Sequence, residues 1–316
     1  MHFPHGSLAA GPGRPLVLTP EAAGWTYCGL TVLSLAPGDR AVLNTGEVER
    51  IALPLSGACQ VLCDGEEFEL LGRPSVFDGV TDFAYLPIDT SVTIVARGAL
   101  RIALPGARAT RRLPARYGPA ETVPVEVRGA GAATRQLNNF CAPDAFECDK
   151  LVAVEVLTPG GNWSSYPPHK HDADGPDEAV LEEIYYFETE GLAYQQVYGT
   201  TEVLAQVSTG DVVLVPNGYH GPSIAAPGYD LYYLNVLAGP AQQRTMACVD
   251  DPAHHWIRES WAGQATDPRV PMTSPYGRKD APASGSAASG SAASGSAASG
   301  SAASGSAGAT REGSVR

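Results

Sequence analysis

The feature that most constrains the fold is a series of short runs, either apolar or alternating between apolar and polar residues. Turn-forming residues separate these runs from one another. Clusters such as Asp64-Gly65 and Gly72-Arg73-Pro74 are typical of turns between strands. Runs spaced about 8–12 residues apart favour a β-sandwich or β-barrel over alternating strands and helices. The predicted strands are 31–35, 41–43, 49–55, 59–63, 67–71, 82–86, 92–96, 100–104, 151–157, 183–187, 192–198, 202–206, 211–215 and 230–237. The sequence therefore predicts an all-β fold.

The predicted strands fall into two sets of similar character. The first set lies in residues 1–110 and the second in residues 123–265, and a basic, proline-bearing stretch at 111–122 is predicted to link them. Residues 253–261 are predicted to form one short helix, and residues 266–280 a C-terminal extension. We expect two all-β domains joined in tandem.

The last part of the chain, residues 281–316, is an Ala/Ser/Gly-rich repeat. It contains no large apolar side chain before Val315, so it cannot bury enough surface to offset the entropy of ordering. We predict a disordered, low-complexity tail that no domain includes.

Because this tail carries no candidate ligand, we expect truncation after Asp280 to leave turnover and the melting temperature nearly unchanged. An activity assay and a thermal melt of the truncated chain check this. A loss of activity greater than about tenfold would contradict it, because the tail would then have to order against the body.

Charge and composition exclude two classes of partner. The formal net charge is -13, with 34 acidic against 21 basic residues, whereas nucleic-acid binders usually present a basic face. No apolar run approaches the 18 or so residues that a transmembrane helix needs, and the first 20 residues lack a signal-peptide core. The six cysteines are scattered, which favours free thiols. We therefore expect a cytoplasmic protein that binds neither nucleic acid nor membrane.

Five of the seven histidines lie in the second predicted domain, and three of these form a metal-ligand pattern, whereas a surface or packing role is expected for His254 and His255. His169 and His171 are two residues apart, so on a strand they point to the same face. A strand that begins with carboxylates at Glu182 and Glu183 follows, and His220 comes after a turn. Three imidazoles and one carboxylate suit a catalytic divalent metal. The first half has no histidine between His5 and His169, so its barrel is predicted to be structural.

The same residues carry a family resemblance. The order H-x-H, Glu and G-x5-P-x-G-x-H resembles the metal motif of cupins. More closely, the chain is similar to the 5-deoxy-glucuronate isomerase family of inositol catabolism over most of residues 20–265. The segments that carry this similarity are His169-Lys170-His171-Asp172, 181–186, 194–198, 216–222 and 231–236. The resemblance implies two tandem cupin barrels (double-stranded β-helices, or jelly rolls), of which only the second holds metal.

The resemblance also bears on which glutamate binds the metal. Cupins place an aromatic residue two positions after the ligand on the same inward face. Glu183 would then face inward with Tyr185 and Phe187, whereas Glu182 would share its face with Ile184 and Tyr186. We choose Glu183 and keep Glu182 as the alternative.

The activity that the resemblance implies is a metal-dependent aldose–ketose isomerisation of 5-deoxy-D-glucuronate to 2-deoxy-5-keto-D-gluconate. A proton leaves the carbon beside the aldehyde and another returns at the aldehyde carbon. One divalent ion, zinc with manganese or iron as alternatives, would stabilise the developing charge. Candidates for the catalytic base are Glu183, Lys170, Tyr185 and Glu182, and a hydride shift would need no base.

Other side chains are candidates for holding the uronic acid. Arg135, in a strand-like stretch, could bind the distal carboxylate in a bidentate way, or it could be a surface arginine. Gln195 and Gln196 could bind sugar hydroxyls or form hydrogen-bonded core. The implied protein is a homo-oligomer with a small-molecule substrate.

Three other functions stay open from the sequence. The nearest is 5-keto-4-deoxyuronate isomerase of pectin breakdown, which uses the same chemistry. An iron cupin dioxygenase belongs to a different reaction class and would consume oxygen. A non-catalytic sugar-binding cupin would be expected to lack one or more of the metal ligands.

Overall fold

The computed structural model describes residues 1–279, and these form an almost entirely β structure, as predicted. The predicted tail, residues 281–316, lies outside the described residues. The helical segments of the described part are short: α1 Pro20–Ala23, α2 Trp256–Ser260, and 3-10 turns at Ala120–Thr122, Gly131–Ala133 and Trp261–Gly263. None of the described helices is long and apolar enough to cross a membrane. The two tandem cupin barrels that the sequence predicts are present.

The strands in the first part of the chain are β1 His2–Phe3, β2 Leu16–Leu18, β3 Cys28–Leu35, β4 Arg40–Asn44, β5 Val48–Cys63, β6 Glu66–Arg73, β7 Phe83–Leu86, β8 Ser91–Ala96, β9 Leu100–Arg108 and β10 Arg116–Gly118. The strands in the second part are β11 Val125–Arg128, β12 Arg135–Asn138, β13 Val152–Thr158, β14 Trp163–Ser164, β15 His169–Lys170, β16 Glu182–Thr189, β17 Ala193–Tyr198, β18 Val203–Val207, β19 Val212–Val215, β20 Tyr219–Ala225, β21 Leu231–Ala238, β22 Val249–Asp250, β23 Thr273–Ser274 and β24 Gly277–Arg278.

A single long strand links the two sheets of the first barrel. The sequence predicts two strands, 49–55 and 59–63, whereas the structure joins them as β5. The first half of β5 pairs with β7 and β9, and the second half pairs with β6 and β8. The junction is at Gly57, where φ is 87° and a Cβ atom would lie 2.2 Å from the carbonyl oxygen of Ala99. Only glycine allows this close crossing, so the strand bends there without ending.

The second barrel consists of two facing sheets. One has the order β1-β19-β16-β21-β13-β12-β11, and the other has the order β18-β17-β20-β15-β22, with β14 paired to β20. Their inner faces enclose a cluster that includes Leu137, Val154, Tyr185, Phe187 and Tyr233. The strand β20, which carries His220, is not among the strands predicted from sequence.

Three apolar cores hold the molecule together, one inside each barrel and one between the barrels. The alternation along β16 shows how one strand serves two of them. Tyr185 and Phe187 face the interior of the second barrel, whereas Ile184 and Tyr186 pack into the core between the barrels. This is the parity that the sequence predicts for the two sets of residues.

Buried carboxylates connect the two halves in both directions. Glu49 on β5 accepts backbone N–H bonds from Asp149 and Leu151 at 2.9 and 2.7 Å. Glu182 on β16 accepts them from Thr26 and Tyr27, both at 2.7 Å, and from Cys28. Each half therefore satisfies backbone donors of the other, which fixes their mutual orientation.

The predicted domain boundaries at residues 110 and 123 stay a prediction. Two strands pair differently from what these boundaries would suggest. β1, from the extreme N-terminus, pairs with β19 in the second barrel. β10 lies within the predicted linker and pairs with β7 of the first barrel. The helix predicted at 253–261 occurs in shorter form, as α2 and the 3-10 turn that follows it.

Candidate active site

The candidate ligands come from three neighbouring strands of the second barrel. His169 begins β15 and pairs directly with His220 on β20, while His171 follows just after β15. Glu183 is near the start of β16, which belongs to the opposite sheet. The barrel thus brings residues that are far apart in sequence to one point between its two sheets.

Three of these side chains converge closely. Candidate ligand atoms of His171, Glu183 and His220 all lie within 4.8 Å of one another, and all three residues are buried. The Nε2 atoms of His171 and His220 are each 3.0 Å from the same oxygen, Oε2 of Glu183. The other carboxylate oxygen, Oε1, accepts a hydrogen bond from Asn235.

The hydrogen bonds of two histidines determine which ring nitrogen carries the proton. Nδ1 of His169 lies 3.0 Å from the carbonyl oxygen of Pro167, and Nδ1 of His171 lies 3.0 Å from that of Leu181. A carbonyl oxygen can only accept, so Nδ1 is the donor in both rings. Nε2 of each ring is then left with a lone pair, as in histidines that bind metals.

These contacts fit a bound cation. With Nδ1 protonated, Nε2 of His171 presents a lone pair to a carboxylate oxygen, and this contact is repulsive unless a proton or a metal ion lies between them. Nε2 of buried His220 is as close to Glu183 Oε2 but not in hydrogen-bond geometry, and its Nδ1 has no hydrogen-bond partner among the described residues. Bonds of about 2.0–2.2 Å to one metal would place adjacent ligand atoms about 3 Å apart, close to the observed separations.

The electrostatics of Glu183, His169 and His220 agree with this geometry, and although burial alone would lower the pKa of His171, its contact with Glu183 raises that pKa, as expected where a proton or a metal ion lies between the two groups. Burial alone would raise the pKa of the Glu183 carboxyl, but His220 and His171 beside it bring that pKa well below its usual range. Burial lowers the pKa of His169 and of His220 below the ordinary histidine value. Glu183 is therefore a carboxylate, and these two imidazoles are neutral at pH 7, which are the forms that bind metals.

His169 lies beside this group of three. Its ring centroid is 4.4 Å from that of His220, and both His169 and His171 line the same cavity, as the H-x-H spacing predicts. Lys170, between them, points the other way. Its ammonium group forms ion pairs with Asp172 at 2.6 Å and Glu178 at 2.8 Å, and these contacts raise its pKa against the effect of burial. The structure does not bring Lys170 into the site.

A tight backbone contact positions His220. Gly221, which follows it, has φ of 96°, and a Cβ atom there would lie 1.8 Å from the carbonyl oxygen of Ser165. Ser165 itself has φ of 47°, and its hydroxyl lies 2.8 Å from that of Tyr185. Burial keeps the pKa of Tyr185 well above its usual value, so this hydroxyl stays protonated.

Three of the candidate ligands, His169, His171 and Glu183, line a cavity of about 180 Å³ that also has a basic wall. Arg128 and Arg135 both belong to the lining. Arg128 is paired with Glu126 at 2.7 Å. Arg135 is 5% exposed and, in the described part of the chain, forms one side-chain hydrogen bond, to the carbonyl oxygen of Ala133. Burial lowers its pKa to about 10, so Arg135 is a charged group without a carboxylate partner at neutral pH.

The two glutamines that the sequence suggests as substrate ligands are not in the lining. Gln195 is fully buried, donates to the carbonyl oxygen of Gln196 at 3.0 Å and accepts from Ser223. Its hydrogen bonds are thus used within the barrel wall. Gln196 follows it on β17, so its side chain points to the opposite face of the sheet.

Sequence reasoning missed several residues of the cavity, among them Asn235 and Arg128. Asn235 pairs with Tyr185 across β21 and β16, and its Oδ1 is buried without a partner among the described residues. The sequence signal that could have identified Asn235 is its position as an amide in a strand of otherwise apolar and tyrosine residues. Arg128 has no comparable signal, because it reaches the site only through the pairing of β11 with β12.

We expect Glu183→Gln to lower metal content and turnover much more than Glu182→Gln. Glu183 faces the three-residue cluster, whereas Glu182 accepts backbone N–H groups of the other half of the molecule. Elemental analysis and an activity assay of both variants check this. Loss of metal in Glu182→Gln but not in Glu183→Gln would mean that Glu182 is the metal ligand. We expect Glu182→Gln to keep its metal and to lower the melting temperature.

Comparison with protein families gives one match that covers most of the chain. The model of the KduI/IolB family matches residues 5–257. A protein of Geobacillus kaustophilus named 5-deoxy-glucuronate isomerase is 41% identical over 257 residues, which is 78% of this chain and 92% of that protein. The protein of the same name from Bacillus subtilis strain 168 is 38% identical over 243 residues, covering 74% and 89%.

Solved structures agree with the fold. An IolB-like protein from Salmonella typhimurium LT2 superposes with a TM-score of 0.76 at 33% identity, covering 81% of this chain and 98% of that one. An oxalate decarboxylase of Bacillus subtilis superposes with a TM-score of 0.56 at 14% identity, covering 79% of each chain. At that identity the likeness concerns the fold alone.

Proposed function

This chain belongs to the KduI/IolB family, and on that premise we propose that it is a 5-deoxy-glucuronate isomerase of inositol catabolism. The reaction interconverts 5-deoxy-D-glucuronate and 2-deoxy-5-keto-D-gluconate. One observation carries the proposal: a single cavity has a carboxylate–imidazole cluster on one wall and an unpaired buried arginine on another. These two features match the two ends of an open-chain aldehyde acid.

The metal end of the cavity consists of His171, Glu183 and His220, with His169 as a fourth candidate ligand. A divalent ion held there would supply Lewis-acid stabilisation of the negative charge that develops on the substrate oxygens. We propose zinc, since imidazole and carboxylate ligands suit it, and manganese or iron is the other outcome of a metal analysis.

The proton chemistry falls to groups that line the cavity. Glu183 is the carboxylate of the lining within the described residues, and Tyr185 is a protonated donor 2.8 Å from Ser165. We keep Glu183 and Tyr185 as the catalytic candidates. Lys170 loses that role, because its ammonium group is held in ion pairs outside the lining.

Solvent deuterium distinguishes the two routes that remain. Transfer through a side-chain base exchanges the migrating proton with water, so turnover in D2O would incorporate deuterium at the former aldehyde carbon. A direct hydride shift would leave that carbon without solvent deuterium.

The other end of the substrate is a carboxylate, and Arg135 is placed to bind it. The arginine is buried, charged and free of any carboxylate among the described residues. A planar guanidinium binds a carboxylate through two parallel hydrogen bonds. Tight, oriented binding of the acid would fix the aldehyde end at the cluster.

We therefore expect Arg135→Ala to raise KM more than it lowers kcat. The expected loss is about 1.5–3 kcal/mol in kcat/KM, or about tenfold to 150-fold, as for a hydrogen bond to a charged group. Steady-state kinetics of the variant check this. Arg40→Ala, which changes an exposed arginine on β4, is the matched control and should leave both constants unchanged. An equal fall in kcat and kcat/KM would mean that Arg135 acts on the reacting atoms.

The assay for the proposed function uses the purified full chain with its metal content measured. Isomerisation of 5-deoxy-D-glucuronate should proceed without NAD, oxygen or ATP, stop on chelation and return with a divalent metal. If only 5-keto-4-deoxyuronate is turned over, the isomerase reaction is retained but the substrate is that uronate and not 5-deoxy-D-glucuronate. Oxygen uptake would indicate a dioxygenase, and sugar-acid binding without turnover would indicate a binding protein.

The cellular setting follows from the thiols. All six cysteines lie within the described residues and are free, and five of them are buried. Free thiols suit a reducing compartment, so we place the protein in the cytoplasm. Assembly into a homo-oligomer stays a prediction, and light scattering of the purified protein checks it.

A further inference from the structure

The first barrel contains a cavity of its own, of about 100 Å³. Its lining includes Leu33, Leu43, Leu104, Arg14 and Arg50. Leu33 and Leu104 belong to the core inside this barrel, and Leu43 packs against that core. The cavity is therefore an extension of the barrel interior and is separate from the candidate active site.

The charge of Arg50 has no counter-charge. Arg50 shares the inner face of β5 with Ala52, and its one side-chain hydrogen bond in the described structure goes to the carbonyl oxygen of Leu104 at 3.3 Å. Its Nε is buried and has no partner among the described residues. By contrast, the buried Arg73 is paired with Glu155, and Arg101 with Glu188.

Arg50 as a whole is half-buried, and leaving its charge without a partner is costly to the extent that burial removes the water that would otherwise stabilise it. Burial lowers the pKa of Arg50 to about 10, which still leaves the group protonated at neutral pH. Arg14, also in the lining and exposed at the surface, adds a second positive charge. No carboxylate belongs to the lining, so the positive charge is available to an anion.

We propose that the first barrel is a binding site for a small organic carboxylate, which Arg50 holds from within the cavity and Arg14 from its rim. The guanidinium of Arg50 offers the carboxylate its unused donors. The remaining walls are largely apolar, formed by leucine, valine and alanine side chains, and they suit the carbon part of an organic acid better than a fully hydrated inorganic anion. The first barrel thus has a ligand role in addition to the structural role predicted from its lack of histidine.

The test is isothermal titration of the metal-loaded full chain with propionate, and in parallel with inorganic phosphate. Because the second barrel is itself proposed to bind a carboxylate, the first-barrel site is measured in Arg135→Ala and in the chelated protein, where we expect one propionate site to persist. Arg50→Met should bind propionate at least about tenfold more weakly, as expected when a hydrogen bond to a charged group is lost. Arg40→Met, which alters an exposed arginine, is the matched control and should bind like the wild type.

Arg14→Ala gives a second measurement that does not disturb the barrel interior, because Arg14 is exposed. It should weaken propionate binding by about two- to threefold, the effect of a solvent-exposed charge. Binding that disappears in Arg135→Ala or on chelation but persists in Arg50→Met would overturn the proposal, because the anion would then occupy the second barrel. Absence of propionate binding, or Arg50-dependent binding of phosphate alone, would also overturn it. None of these outcomes bears on the isomerase activity.

Discussion

His171→Ala is expected to reduce bound metal from about one ion per chain to less than about a tenth, and turnover by at least about 100-fold. Changes to residues that merely support metal ligands cost about 10–100-fold, so removal of a ligand should cost at least as much. His171 provides a lone pair 3.0 Å from Glu183 Oε2, and its Nδ1 is fixed by the carbonyl oxygen of Leu181. The variant also removes one of the two imidazoles beside the buried Glu183 carboxylate. Elemental analysis and the isomerase assay measure the two effects.

His254→Ala is the matched control for this variant. His254 is an exposed histidine that neither lines the cavity nor belongs to the metal-ligand group. It should keep its metal and its turnover. Full metal occupancy in His171→Ala would remove His171 from the ligand set, and the cluster would then have to be held together by a shared proton.

Arg73→Met is expected to lower the free energy of unfolding by about 3–5 kcal/mol, the usual cost of removing one partner of a buried ion pair. Arg73 comes from the first barrel, is 5% exposed and pairs with the fully buried Glu155 of the second. Glu155 also accepts hydrogen bonds from Tyr232 at 2.8 Å and Asn138 at 3.1 Å. Without Arg73 a buried carboxylate is left with neutral donors only. Urea unfolding followed by fluorescence measures the change.

Two further variants separate the buried charge from simple loss of packing. Arg97→Met removes an exposed ion pair with Glu69 and should cost no more than about 1 kcal/mol. The double variant Arg73→Met with Glu155→Gln should recover part of the loss, because no uncompensated charge is then buried. If Arg73→Met alone unfolds within about 1 kcal/mol of the wild type, the pair contributes little to joining the barrels.

Much of the fold could be predicted from the sequence, because strand patterns are local. Alternating runs between turn residues predicted strands at 92–96 and 202–206, and the structure has them as β8 Ser91–Ala96 and β18 Val203–Val207. The H-x-H spacing predicts that His169 and His171 share a face, since they are two residues apart on a strand, and both line one cavity. The parity of β16 likewise separated Glu183 from Glu182.

Two predicted site roles stay without support, because hydrogen bonds and ion pairs within the fold occupy the side chains. Gln195 has an inward position that looks suited to a ligand, but Ser223 and the backbone of Gln196 use its hydrogen bonds. Lys170 has the right chemistry for a base, but Asp172 and Glu178 hold it in ion pairs. The side-chain type shows which reaction a residue could carry out. Its hydrogen-bond and ion-pair partners in the fold decide whether it is available to do so.

The sequence by itself determined the all-β class, because strand patterns depend on local spacing, and it predicted the histidine–carboxylate set from spacing together with the family resemblance. Only the tertiary structure decided that Asn235 holds Glu183, that Arg135 lacks an ion-pair partner among the described residues and that the Nε atom of Arg50 is buried without a hydrogen-bond partner there. The contact of Asn235 with Glu183 and the pairing of Arg50 with Gly106 join residues more than 50 positions apart in the sequence. Hydrogen bonds and charge compensation act through space, so no local pattern in the chain can encode them.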